Sequence, residues 1–243
     1  MIFVGTWNIL ADQFVECEYY NCDCSILNAN IRRSKIYKII RQMNLDILLL
    51  QEVSKSEFIL LKEEFKEYSF VFSKHRKNHW RGYNRYESNG NVIMFKTDKF
   101  STLGCNFVTI HNNGNRIPIL KLLYENVEFN LISFHFDDTQ LNVEECKNMQ
   151  RCIDDSIWIC GGDTNDSENI LNSIFLNFDC AHLDTSFYEG KRINIDKIFL
   201  KGIRKYKVQN KKWSNRFNSE SILEELGSDH LPVFVSIFLN KIN

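Results

Sequence analysis

Gly227–Val233 reads G-S-D-H-L-P-V, an Asp–His pair set just before the apolar run V-F-V-S-I-F-L of residues 233–239. A strand packed among apolar neighbours has no place for either side chain, because a buried charge without a partner costs several kcal/mol. The pair is therefore either a solvated turn or the lip of a polar site, and the other strands decide between the two. Short β-rich runs with the same kind of ending recur along the chain. Ile2–Trp7 is followed by Asn8, and I-L-L-L (47–50) by Gln51 and Glu52. L-I-S-F (131–134) ends on His135, and I-W-I-C-G-G (157–162) leads into Asp163 and Asn165. Asp196 sits inside I-N-I-D-K-I-F-L (193–200). Taken singly these are ordinary: a Glu after a strand caps a helix, and G-D-x-N suits a turn. Recurring at six strand edges, they point to one shared polar cleft.

The intervening segments set the class. Ile36, Ile39, Ile40 and Met43 fall at helical spacing within Arg32–Met43. S-K-S-E (54–57) has the form of a capping box, with Phe58, Leu61 and Phe65 continuing a helical stripe. Strands are predicted at 70–73, 91–95, 117–124, 129–134, 157–160, 193–200 and 233–239, and helices at 143–153 and 168–175. Strands and helices alternate in both halves, which predicts a layered α/β domain. No repeat, low-complexity tract or linker interrupts the 243 residues, so one domain over 1–243 is expected.

Composition narrows the function classes. The formal net charge is −1, so attraction to nucleic acid has to come from local patches rather than from overall charge. No apolar run approaches the roughly 20 residues that span a bilayer, and the N-terminus lacks a signal-like pattern. A protein with no membrane partner is expected, intracellular and cytoplasmic. Cys105, Cys146, Cys152, Cys160 and Cys180 lie in or beside apolar runs and read as reduced core thiols.

The cleft is rich in hard oxygen donors and poor in sulfur, which suits Mg²⁺, or Mn²⁺, better than zinc. Two histidines and further carboxylates remain for proton transfer and phosphate binding. That inventory fits metal-assisted phosphodiester hydrolysis. Acyl transfer by a G-x-S-x-G serine and a G-x-x-x-x-G-K-[ST] phosphate loop both lack their motif.

T-W-N-I-L-A, L-L-L-Q-E-V, S-F-H-F, G-G-D-T-N, N-I-D-K-I-F and G-S-D-H-L-P-V occur in this order between residues 6 and 233. Together they resemble the endonuclease/exonuclease/phosphatase superfamily of metal-dependent phosphoesterases. The resemblance implies an α/β fold, a four-layer α/β–β/α sandwich of two packed mixed sheets with helices outside. It implies Glu52 as metal ligand, with Asn8 beside it holding the metal and its water network. Asp163 matches the aspartate that orients or deprotonates water, and Asn165 the residue contacting phosphate. His230 matches the histidine on the scissile phosphate, with Asp229 orienting its ring. His135 matches a second phosphate-facing histidine, and Asp196 a carboxylate near the leaving group.

W-N-I-L-A, the R-R-x-x-I spacing (32–36) before L-D-I-L-L-L-Q-E-V, and S-N-G-N-V-I-M-F-K-T-D-K-F (88–100) resemble the deadenylase branch, the nocturnin and carbon-catabolite-repressor-type enzymes, although Asn89 stands where that branch has Asp. That implies a 3′-exoribonuclease acting as a monomer on the 3′ ends of single-stranded RNA. Thr164 in G-D-T-N departs from the branch, which has Phe there, and resembles tyrosyl-DNA phosphodiesterases instead. A phosphatase acting on inositol phosphates or nucleotides is the other enzymatic alternative. An inactive binding module on the same fold would be expected to lack part of the polar set. Two basic–aromatic stretches, 74–86 and 201–216, combine phosphate-binding cations with rings that can stack on bases. From these and the Phe187–Tyr188 pair, Trp80, Arg81, Tyr188 and Trp213 are the candidate substrate contacts.

Overall fold

The computed structural model describes residues 1–15, 20, 23–74, 89–110, 116–136, 141–165, 177–182, 185–188, 191–209 and 221–239. Two six-stranded mixed sheets pack face to face. In the first the spatial order is β13 (Tyr206–Val208), β14 (Val233–Ile237), β1 (Ile2–Asn8), β2 (Ile47–Ser54), β4 (Asn89–Lys96), β3 (Tyr68–Lys74). In the second it is β5 (Ser101–Thr109), β6 (Arg116–Tyr124), β7 (Val127–His135), β8 (Trp158–Asp163), β12 (Asp196–Lys201), β9 (Asp179–His182). A hairpin of β10 (Ser186–Tyr188) and β11 (Lys191–Ile193) stands apart. Each large sheet has one parallel pair at its centre, β1 with β2 and β7 with β8; the remaining pairs are antiparallel.

The two-residue period of the strands sorts the apolar residues into three layers. Ile2, Val4, Ile47, Leu49 and Ile93 point inward against Leu131, Ile159, Ile198 and Leu200. The alternate residues of the first sheet, Trp7, Leu48, Leu50 and Met94, point outward. They are covered by α1 (Ala29–Met43), through Ile36, Tyr37, Ile39 and Ile40, and by α2 (Lys55–Glu64), through Leu61. On the second sheet Ile132, Phe134, Trp158, Cys160 and Phe199 meet Cys146 and Met149 of α3 (Leu141–Gln150). A short α4 (Ser221–Leu226) buries Ile222, Leu223 and Leu226. Inner strands buried on both faces are what continuous runs such as I-L-L-L require.

The helix boundaries follow capping chemistry. The Asn28 carboxamide accepts from the amides of Asn30 and Ile31, and Asn44 closes α1 in the left-handed region. Ser54 Oγ accepts from Glu57 N at 3.0 Å, the first half of the capping box expected there. The strand expected over 193–200 is divided: residue 193 ends β11, and β12 starts at Asp196. Thr164 accounts for the break, because its amide and hydroxyl both donate to the Ile195 carbonyl, at 2.8 and 2.7 Å. Strands β5, β9, β10 and β13 and helix α4 have no counterpart in the sequence reading. The helix expected at 168–175 lies outside the described residues. Of the five cysteines read as core thiols, Cys146 and Cys160 are buried and free, whereas Cys105 is free but exposed; Cys24 is disulfide-bonded.

Candidate active site

The parallel strands run to the same end of the sandwich, and polar residues at or near their ends meet there. At the β1 end, Asn8 donates its carboxamide to Glu52 Oε1 at 2.9 Å and to Asp163 Oδ2 at 3.1 Å, so one amide joins carboxylates from both sheets. Its oxygen accepts from Leu10 N at 3.0 Å. Asn8 thus holds the two acids in place beside each other. Glu52 occupies an irregularity in β2: pairing with β4 slips between Leu50 and Val53, and Glu52 has φ 57°. A bulge of this kind re-aims a side chain, here to where Ala11 N donates to Glu52 Oε2 at 3.0 Å.

Strand β8 delivers Asp163, which is 1% exposed. Asn165 N donates to its Oδ1 at 2.8 Å, and Asn165 itself has φ 48°. The Asn165 carboxamide donates to Phe136 O at 2.8 Å and lies 3.2 Å from His135 Nε2. His135 Nε2 is 3.7 Å from Asp163 Oδ2 and 3.9 Å from Glu52 Oε1. His230 Nε2 is 3.8 Å from the same Asp163 oxygen. Asp163 is therefore flanked by both imidazoles.

The orienting partner of His230 is Asp196, and this corrects the assignment of Asp229 to that role. His230 Nδ1 donates to Asp196 Oδ2 at 2.8 Å, while Asp229 Oδ1 is 3.9 Å from Nε2. Asp229 instead accepts from Tyr20 at 3.1 Å. Asp196, expected near the leaving group, is fully buried and also accepts from Thr185 Oγ1 at 2.6 Å. Burial raises the Asp196 pKa against the pull of His230. Burial also works to strip His230 of its proton, but Asp196 and then Asp229 and Asp163 outweigh it and raise the ring's pKa well above its ordinary value.

Several residues that build this site carry no chemistry legible on their own. Trp7 Nε1 donates to His230 O at 2.8 Å, and Ser228 Oγ donates to Asn8 O at 2.7 Å. Arg32, 1% exposed, donates to Gly227 O at 2.8 Å, to Asp12 Oδ1 at 2.7 Å, to Ile9 O at 2.9 Å, and to Leu10 O. It clamps the loop after β1 to the loop before His230. In the sequence Arg32 shows only as one position of an R-R-x-x-I spacing, and Thr185 shows no signal.

The donors fit a hard divalent cation. Glu52 and Asp163 bring carboxylate oxygens to the two sides of the Asn8 amide, and among the described residues no cysteine joins a metal-binding group there. Asp163, Asp196 and His230 also lie within 4.8 Å of one another. In that trio His230 Nδ1 and Asp196 Oδ2 are already bonded to each other, whereas Glu52 is the ligand that the family resemblance implies.

Of the candidate substrate contacts, Trp80, Arg81 and Trp213 lie outside the described residues. The backbone of Tyr188 is in β10, whose Ser186 bridges to His230. The stretch 201–216 begins at the wrong end for a phosphate track. Lys201 closes β12 about 16 Å from Asp196 at ~3.3 Å per residue, and its ammonium is tied to Asp154 O and Asp155. Among the described residues the chain returns toward the site through β13, where Gln209 N donates to Phe234 O.

Comparison with known proteins agrees with this geometry. Residues 5–230 match the model of the Endonuclease/Exonuclease/phosphatase family. No curated protein sequence matches the chain. Solved structures of similar fold include ANGEL2, a 2′,3′-cyclic phosphatase, at 15% identity and TM-score 0.77, covering 97% of this chain and 94% of that one. The human Nocturnin catalytic domain with bound sulfate is similar at 16% identity and TM-score 0.71, with 98% and 93% covered. TDP2 from D. rerio with a single-strand DNA product is similar at 12% identity and TM-score 0.67, with 98% and 99% covered.

Proposed function

The chain belongs to the endonuclease/exonuclease/phosphatase family and is a metal-dependent phosphodiesterase, and on that premise we propose that it hydrolyses nucleic acid with Mg²⁺, as a 3′-exoribonuclease on single-stranded RNA of the deadenylase type. The observation that carries the chemistry is the pair of imidazoles on one carboxylate, with His135 Nε2 and His230 Nε2 3.7 and 3.8 Å from Asp163 Oδ2. Asp163 accepts the proton of the attacking water, its orientation fixed by Asn8 and by the amide of Asn165. His230, kept cationic by Asp196, presents Nε2–H to a non-bridging phosphate oxygen as negative charge builds there. His135 and the Asn165 carboxamide line the other side of the phosphate position. Glu52 would hold the Mg²⁺, which when bound neutralises phosphate charge and acidifies water.

Support for the RNA reading comes from W-N-I-L-A and from residues 88–100, which resemble the deadenylase branch. Thr164 is the position that resembles tyrosyl-DNA phosphodiesterases. It is fully buried and both its polar groups bond Ile195 O, so it serves the strand break before Asp196. The test is a side-by-side assay of oligo(A), mixed RNA, RNA ending in a 2′,3′-cyclic phosphate, single-stranded DNA and 5′-phosphotyrosyl DNA, with Mg²⁺ and with chelator. Release of mononucleotides from the RNA 3′ end, lost with chelator, is expected. Preferred cleavage of the phosphotyrosyl or cyclic substrate would replace the exoribonuclease reading.

A further inference from the structure

Strand β5 ends the second sheet. Strand β6 pairs with one of its edges, and among the described residues no strand pairs with the other. It is exposed along most of its length, with Leu103 at 45% and Phe107 at 44%. A bulge at Leu103 disturbs its start, and Gly104–Thr109 then pair with β6 one for one. Cys105 and Phe107 lie opposite Leu120 and Pro118, on the face by which Leu120 and Leu122 enter the core between the sheets. The facing sheet ends at β3, which packs on β6, so among the described residues no strand or helix covers that face of β5.

The four strands that end the two sheets differ in chemistry. β3 carries Lys74, β13 carries Lys207, and β9 carries Asp179 and His182, whereas S-T-L-G-C-N-F-V-T of β5 has no charged residue and no proline. Charges and prolines are the usual devices that keep sheet edges apart. We propose that a second copy of this chain docks on β5, strand against antiparallel strand, joining the two copies into one continuous sheet. A two-fold axis makes such an edge self-complementary. With the axis at Asn106, Cys105 and Phe107 of one copy stand beside Phe107 and Cys105 of the second copy on one face, and Gly104 and Val108 alternate on the other. No like charges meet, whereas a two-fold pairing through Lys207 of β13 or Asp179 of β9 would crowd them. This departs from the monomer the sequence suggests.

The experiment measures the mass of the full chain by analytical ultracentrifugation over a wide concentration range. A short bismaleimide is added in parallel, with Cys105→Ser as control. A concentration-dependent dimer is expected, with a Cys105–Cys105 cross-link found by peptide mapping and absent in the control. Phe107→Lys should weaken the dimer at least about tenfold and leave Mg²⁺-dependent hydrolysis and the melting temperature unchanged. A monomer at every concentration, a dimer that Phe107→Lys leaves intact, or cross-linking through another cysteine would overturn the proposal. So would a monomer that instead takes up a foreign strand at β5.

Discussion

At His230 two effects of opposite sign compete. Burial favours the neutral ring, and the carboxylates of Asp196, Asp229 and Asp163 favour the cation and prevail. Asp196→Asn removes the first of these and leaves the shape intact, so the His230 pKa should fall. If the cationic ring binds the phosphate, activity is lost as pH rises through that pKa, and the alkaline limb of kcat/KM should move to lower pH. A rate loss on the order of 10²–10³-fold at neutral pH is expected, against an unchanged acid limb. An alkaline limb that stays in place would detach Asp196 from the proton on His230. The sequence misled at this point for a physical reason. Asp229 is the neighbour of His230 along the chain, but in the bend at 227–229 its carboxylate stays 3.9 Å from Nε2 and accepts from Tyr20 instead. Asp196 is 34 residues away and arrives only through the strands that flank the site.

Strands and their irregularities decide where each acid points. Glu52 lies in the left-handed region at φ 57°, inside the bulge of β2, a conformation that costs a non-glycine residue about 1–3 kcal/mol. Glu52→Gly relieves that strain while deleting the carboxylate. The variant should melt no lower than the parent and yet show no hydrolysis, which thermal unfolding and the RNA assay read separately. A large drop in melting temperature would show instead that the carboxylate holds the bulge together. Gly227 is the opposite case. At φ +80° its added Cβ would sit 2.6 Å from Arg32 O. Gly227→Ala should cost about 1–3 kcal/mol in denaturant unfolding and lower activity by shifting His230. Strands with continuous apolar runs, such as 47–50 and 157–160, were legible because burial on both faces leaves no polar residue in them. The exposed β5 and the three-residue β10 and β13 have no such pattern, each pairing with one strand among the described residues.

Across the whole molecule the two sheets repeat one plan. The order β14–β1–β2–β4–β3 has the same strand directions as β12–β8–β7–β6–β5, with a parallel pair at the centre of each. The central strands carry Asn8, Glu52, His135 and Asp163 at or near their ends, and the antiparallel flanking strands begin at Asp196 and just past His230. All six polar positions therefore fall at one end of the sandwich. This is why a pattern of polar residues at apolar run ends located the cleft without any knowledge of pairing. Carboxylates gathered at one end of a rigid body repel one another when no cation is bound, so Mg²⁺ should stabilise the fold as well as support catalysis. At a free concentration about 100 times its Kd the ion would add ~2.7 kcal/mol, a rise in melting temperature of about 5–10 °C for a chain of this size. Asn8→Ala leaves Glu52 but removes the amide that holds it beside Asp163, and should raise the Mg²⁺ midpoint of that shift about 10–100-fold. Glu52→Gln should abolish the shift. Equal shifts in parent and Glu52→Gln would place the cation elsewhere, with the Asp163, Asp196 and His230 cluster as the alternative seat.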